Sequence, residues 1–316
     1  MKQFIVSPAP HFHSGDSVRK NMLLVIIALL PAYAVSVWQF GWGALITTAI
    51  SVAACVLFEW LIAKYILKQK STICDLSAVL TGLLLAFNLP SNLPWWIVVI
   101  GALVAIGVAK MSFGGLGQNL FNPALVGRVF LLISFPAQMT TWPVPRKYDG
   151  TTGATPLGIL NEGGTDLPTN MDMFLGFCGG SMGEVSAVAL LIGGLFLIWK
   201  KVISPIIPFT FIGTVFVFAF VYYSVAGTGD AFEMAVFHIL AGGVMLGAFF
   251  MATDYVTSPL LPMGKVIFGV GCGLITMLIR VFGSYPEGVS FSILIMNCLT
   301  PLINDFCQKR MYGGAK

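Results

Sequence analysis

One run of seven residues, Asp149-Gly150-Thr151-Thr152-Gly153-Ala154-Thr155, combines a terminal hydroxyl, the smallest side chains and an upstream carboxylate. Thr155 offers an oxygen that could accept a group from another enzyme. Gly153 and Ala154 would let that enzyme approach the backbone closely. The same residues also describe a plain Gly/Thr turn, and spacing alone leaves both readings open. Elsewhere the chemistry-bearing groups are few and lie within or beside apolar stretches. Arg128 follows Asn119, Asn122 and Pro123, Arg280 precedes Glu287, and Asp75, Asp254 and Asp305 stand near the ends of apolar runs. Ionisable groups at membrane depth are functional candidates by default. Carboxylates at such ends could admit a cation or simply cap helices. Glu59 and Glu233 could reach an interface or pair with a neighbour.

The elements that must position these groups are membrane spans. Of the 316 residues, 57% are hydrophobic and 9% charged, with mean hydropathy +0.89. Soluble domains carry roughly 25% charged residues, so this chain cannot cover a water-facing surface. A soluble enzyme, a disordered chain and a nucleic-acid binder are excluded. Hydropathy predicts an all-α polytopic membrane protein of about ten spans, near 22–40, 43–67, 73–89, 94–110, 119–135, 185–203, 206–226, 231–252, 265–282 and 289–306. The fifth and tenth look short or interrupted. With the N-terminus inside, every basic residue of the 17 except Arg128, Arg146, Lys147 and Arg280 falls on the cytoplasmic side. That bias predicts an even number of crossings and two cytoplasmic termini.

Three regions follow: residues 1–135, a tail and five spans; 136–184, a long outer loop; and 185–316, five more spans and a short tail. Each five-span half places Asn and Pro in its last span (Asn122-Pro123; Asn297 with Pro301) and has a third span rich in small residues. An odd number of spans per half makes two such halves an inverted repeat. In the loop, five prolines and five acids bar entry into lipid, while Trp142, Tyr148, Phe174 and Phe177 argue for order. Six cysteines are scattered without a C-x-x-C pair or clustered histidines, which argues against a metal centre held by this chain alone. Gly114–Gly117 follows a membrane helix and not a Rossmann strand, so it is no dinucleotide fingerprint.

The 149–155 run resembles the acceptor motif D-x-x-[ST]-G-A-[ST] of the periplasmic-type flavin transferase. Pro10-His11-Phe12-His13-Ser14, the run from Gly114 to Ala124 (GGLGQNLFNPA), Phe250-Met251-Ala252-Thr253-Asp254 and Tyr285-Pro286-Glu287-Gly288 with Asn297 resemble, in order, the D subunit of the Rnf complex. The B subunit of the sodium-translocating NADH:quinone reductase is its longer paralogue. The resemblance implies a bacterial inner-membrane subunit carrying FMN as a phosphoester on Thr155, with Asp149, Thr152, Gly153 and Ala154 as recognition positions. It implies a flavin transferase for maturation. It also implies partner membrane subunits, including a second one bearing covalent FMN, and electron transfer between ferredoxin and NAD coupled to Na⁺ or H⁺ movement. Non-covalent riboflavin toward the cytoplasmic half is implied too, without a motif to place it.

On that resemblance, Arg146 and Lys147 become candidates for the FMN phosphate or for a partner surface. Arg280 and Glu287 become candidates beside the flavin. Asp75, Asp254 and Asp305 become candidates for an ion path; family members place the last acid one position earlier, where this chain has Asn304. The competing reading is an inverted-repeat channel or transporter for a small polar solute, with His238 in its pore.

Overall fold

The computed structural model describes residues 17–68, 72–145, 152–164, 167–184, 186–227, 229–283 and 285–311, with the side chains of 309–311 left aside. Helices dominate. The first half holds α1 (Val18–Phe40), α2 (Trp42–Leu61, prolonged by a π turn at Ile62–Ile66), α3 (Ser77–Phe87), α4 (Trp95–Leu103, prolonged by a π turn at Val104–Val108) and α5 (Pro123–Ser134). The 136–184 segment holds three short helices, α6 (Pro136–Met139), α7 (Pro156–Asn161) and α8 (Asn170–Leu175), with two-residue strands β1 (Trp142–Pro143) and β2 (Thr152–Gly153). The second half holds α9 (Ala187–Trp199), α10 (Ile206–Ala226), α11 (Ala231–Leu240), α12 (Val244–Leu246, running into a π turn at Gly247–Met251), α13 (Pro262–Phe282) and α14 (Val289–Met311).

Local chemistry sets several of these boundaries. Ser17 caps α1 by accepting from Lys20 N at 3.2 Å. Asn122 caps α5 by accepting from Ala124 N at 3.1 Å, with Pro123 in the first helical position, where its missing N–H costs nothing. Ser186 and Asp230 cap α9 and α11 in the same way. These helices are apolar on most faces, and large apolar side chains such as Trp42 and Val225 stand exposed, as expected where lipid rather than water is the solvent. Small residues let helices close up: a Cβ at Gly82 would lie 2.7 Å from Val52 Cα, so α3 packs backbone to backbone on α2.

Six helices are long and apolar enough to cross a membrane, or seven with the bent pair of α11 and residues 244–251. Three further apolar helices, α3, α5 and α9, are shorter. An eleven-residue helix such as α3 rises only about 17 Å at 1.5 Å per residue, roughly half the hydrocarbon thickness. Hydropathy over 73–89 overran because it counted the 3-10 turn at Ile73–Asp75 and the first corner residues, Asn88 and Leu89, as span. The fifth helix is short, as the sequence suggests, but the tenth is not. The last helix, α14, runs unbroken through Pro301. The break falls instead between α11 and α12, where Ala241 is extended, Gly242 and Gly243 take φ of +67° and +69°, and the axis turns by 61°.

The two halves pack on a common plan. In each, the second helix lies against the third and fourth (α2 on α3 and α4; α10 on α11 and α13), α1 lies along α9, and α5 meets α14. The 136–184 segment is more buried than its composition predicts. Ser181, Met182 and Met173 are fully covered, and Gly183 N donates to Phe87 O at 2.7 Å, tying this segment to the end of α3.

The left-handed conformation at Gly243 yields a direct test. A Cβ there would lie 2.5 Å from Glu184 Oε1 and 3.0 Å from its Cδ, and a non-glycine residue at positive φ costs about 1–3 kcal/mol by itself. Gly243→Ala is expected to lower the thermal unfolding midpoint in detergent. Gly213→Ala, where a Cβ meets nothing within 4 Å, should leave it unchanged. Equal midpoints for the two variants would contradict the break as described.

Candidate functional site

Thr155 stands at the mouth of α7. Its side chain is buried, and its Oγ1 accepts from Gly158 N at 3.1 Å as the helix cap. Upstream, β2 pairs antiparallel with β1 in the register Trp142↔Gly153 and Pro143↔Thr152. This ribbon leaves Thr152, Gly153 and Ala154 exposed, so the residues preceding the hydroxyl are presented outward. Asp149, Arg146 and Lys147 lie outside the described residues.

Two narrow clefts meet at Thr155. One is lined by Cys178, Gly180, Glu184, Leu240, Gly242 and Glu287; the other by Arg128, Met139, Thr140, Trp142, Tyr285 and Glu287. Between them lies a buried ionic cluster. Arg128 of α5 is ion-paired through Nη2 with Glu287, and Glu184 Oε1 lies 3.6 Å from the same nitrogen. Its Nη1 donates to Asn88 Oδ1 at 2.8 Å and to Ser290 Oγ at 3.0 Å. One guanidinium thus joins the end of α3, the start of α14 and the 136–184 segment. Two carboxylates share this one cation. Glu184 Oε1 accepts no hydrogen bond. Burial pushes the Glu184 carboxyl up to about 7, with Glu287 adding to the rise and Arg128 opposing it. Burial likewise pushes the Cys178 thiol up to about 12, so this cysteine is a protonated wall residue and no nucleophile.

Arg280 comes to the edge of the same region with a different task. Its Nη1 donates to His238 O at 2.6 Å, and its Nη2 to Ala241 O and Gly242 O at 2.9 and 3.0 Å. It therefore closes the carbonyl end of α11 at the break, where unpaired C=O groups need donors. It is buried and does not reach out to the membrane surface. His238 is also buried, with Tyr223 Oη at 3.1 Å from its Nε2. Glu287, chosen from sequence, sits in the cluster. Glu184, read from sequence as a water-facing loop acid, is instead one of its members.

A second polar cluster lies at the other end of α3. Lys110 Nζ is 2.5 Å from Glu59 Oε2 and donates to Ser77 Oγ at 2.8 Å, while Thr72 Oγ1 donates to Glu59 Oε1 at 2.6 Å. Lys110, Asn21, Ser77, Asn119, Asn122 and Asp254 line a cavity of about 80 Å³. Asp254 sits half-buried in its wall. Burial raises its carboxyl, against hydrogen bonds from Thr257, Val256 and Tyr255 that lower it. The two asparagines expected to be equivalent also meet: with the Asn297 amide oriented to satisfy its neighbours, its oxygen accepts from Asn122 N at 3.3 Å. Asp75 is half-buried beside α3 and Asp305 is exposed on α14, so the structure does not gather the three carboxylates into one site. Among the described residues no group of three His, Cys, Asp or Glu could hold a metal ion.

Residues 5–313 match the NQR2, RnfD, RnfE family. The chain belongs to this family. It is 50% identical over 314 residues, covering 98% of this chain and 96% of the relative, to the D subunit of the Na(+)-translocating ferredoxin:NAD(+) oxidoreductase complex of Acetobacterium woodii. It is 45% identical over 323 residues, with the same coverage, to the D subunit of the proton-translocating ferredoxin:NAD(+) oxidoreductase complex of Clostridium ljungdahlii. A third relative, at 39% over 335 residues covering 94% of this chain and 93% of its own, is the D subunit of the ion-translocating oxidoreductase complex of Stutzerimonas stutzeri.

The shared cation gives the site its test. Removing one partner of a buried ion pair costs about 3–5 kcal/mol because a charge is left uncompensated. Arg128→Met is expected to unfold far more readily in detergent than the wild type. Arg128→Met with Glu287→Gln should recover part of that loss, since one carboxylate is then neutral. A double variant no more stable than the single would show that the cluster does not act through charge.

Proposed function

We propose that the chain is the D subunit of an Rnf-type complex, a membrane electron-transfer subunit carrying FMN as a phosphoester on Thr155. Electron transfer between ferredoxin and NAD by the whole complex would be coupled to Na⁺ or H⁺ translocation. The observation that carries this reading is the placement of Thr155. The last hydroxyl of an acceptor-type motif lies at the junction of two clefts, downstream of an exposed ribbon and beside a buried Arg128 and an unbonded Glu184 oxygen. Such a polar lining suits a polyol and a polar ring system, which would be costly in lipid without partners.

When bound, the flavin supplies reversible acceptance of electrons; the protein's share is binding, orientation and electrostatics. Thr152, Gly153 and Ala154 give a transferase an open backbone to grip, with Asp149 upstream as the fourth recognition position. Arg146 and Lys147 offer positive charge for the phosphate. Trp142 and Tyr285 supply apolar faces beside Thr155. Arg280 and Glu287 hold the carbonyl end of α11 and the start of α14 as fixed walls. Non-covalent riboflavin toward the cytoplasmic half belongs to the same reading. Asp254, Asp75 and Asp305 remain the proposed set for cation entry.

In this reading the ten apolar helices form two inverted five-helix halves in the bacterial inner membrane. Both termini are cytoplasmic, and the 136–184 segment faces outward against the other membrane subunits, one of them also bearing covalent FMN.

Made together with the transferase, the denatured wild-type chain is expected to fluoresce as a flavoprotein in a gel, and Thr155→Val is expected to lose all of that signal. A dark wild-type band, or a fluorescent Thr155→Val band, would overturn the assignment.

A further inference from the structure

Glu184 is the more loosely held carboxylate of the buried ionic cluster, with Arg128 3.6 Å away and Ser181 beside it. Its side chain is 7% exposed, it lines the same cleft as Thr155, and its Oε1 accepts no hydrogen bond. Arg128 engages Glu287 directly but stands 3.6 Å from Glu184. Among the described residues, the charged or titratable groups facing it are Arg128 from α5, Glu287 ahead of α14, Arg280 from α13 and Cys178 from its own segment. Of these cations, Arg128 is shared, and both Arg280 amino nitrogens are committed to the carbonyls at the α11 break. The cluster therefore holds more negative than positive charge available to it, in a place with little water. Any further negative charge nearby acts on Glu184 with little screening.

We propose that Glu184 takes up a proton when the redox group on Thr155 accepts an electron, and gives it back on reoxidation. The inference rests on the covalent-flavin reading above. The electron comes from the low-potential donor of the complex. The proton comes from hydronium in the outer aqueous phase, which leaves as water while the O–H bond of the Glu184 acid forms. The net charge of the site is then the same before and after each transfer. Arg128 lies closer to Glu287 than to Glu184. Burial with Glu287 beside it already holds the Glu184 carboxyl at about 7, so an added charge is enough to move it to the acid form near neutral pH.

The test is a potentiometric titration of the covalent flavin in the full chain, co-produced with the transferase, over a pH range of about 6 to 8.5 spanning the expected inflection. In-gel fluorescence checks flavin content. The wild type is expected to show an inflection in midpoint potential near neutral pH that disappears in Glu184→Gln. In Glu287→Gln the inflection is expected at lower pH, because Arg128 then serves Glu184 alone and stabilises its ionised form. A structural role would not move an inflection in that direction. A wild-type chain without covalent flavin would overturn the functional reading and this inference together. A flavinylated Glu184→Gln that keeps the wild-type inflection would overturn this inference alone. If Glu184→Gln does not accumulate, Glu287→Gln decides: a lower inflection supports the role, and an unmoved one refutes it.

Discussion

The half of the molecule that holds Thr155 is organised around one guanidinium with two carboxylates. Arg128 sits on a helix of only twelve residues that cannot cross a bilayer by itself, so it cannot reach water by following its own helix outward. It must be neutralised in place, because an isolated ion at low dielectric is costly. Glu287 and Glu184 arrive from segments far apart in sequence to do so, and Asn88 and Ser290 take its remaining hydrogen bonds. The requirement explains why the 136–184 segment folds inward at Glu184, and why α14 begins where it does. Thr155 inherits its position from this arrangement, since Glu287 lines both clefts that meet there.

The opposite end of α3 repeats the logic with different residues. Lys110 and Glu59 are each nearly inaccessible and pair with one another, with Ser77 and Thr72 completing the contacts. By helical rise the two clusters lie about 17 Å apart, joined by a short helix packed tightly against α2. The buried ion pairs thus form two islands, one near each end of α3. Short helices make this possible: α3 and α5 end inside the protein, and their end groups must be met by side chains rather than solvent. Asn122 shows it most clearly, capping α5 with its oxygen and donating from Nδ2 to Met251 O at 3.2 Å across the interface between the halves.

Much of this was legible in the sequence. Composition gave the membrane class, and hydropathy located ten apolar helical elements, although only six or seven are long enough to be spans. Windowed hydropathy cannot distinguish Ser77–Phe87 from a longer helix when the corner after it, Asn88–Pro94, is itself partly apolar. The break at Gly242-Gly243 was hidden because two glycines are unremarkable in a membrane helix. Only the carbonyls they free, and Arg280 that meets them, mark the site. Arg128 could be singled out because a cation in an apolar run needs a partner. Its partners could not be named: Glu184 reads locally as one more acid in a Gly-rich loop, and Glu287 is 159 residues away from Arg128. The motif ending at Thr155 was legible as chemistry, whereas its setting between two clefts depended on long-range packing that local pattern does not encode.

The most direct measurement is the mass of the proteolytic fragment containing residue 155, from chain isolated from its native membrane. The account predicts a fragment heavier than the bare peptide by FMN less one water, with the addition localised by fragmentation to the Thr155 side chain. A bare-peptide mass, or an addition placed on Thr151 or Thr152, would contradict it.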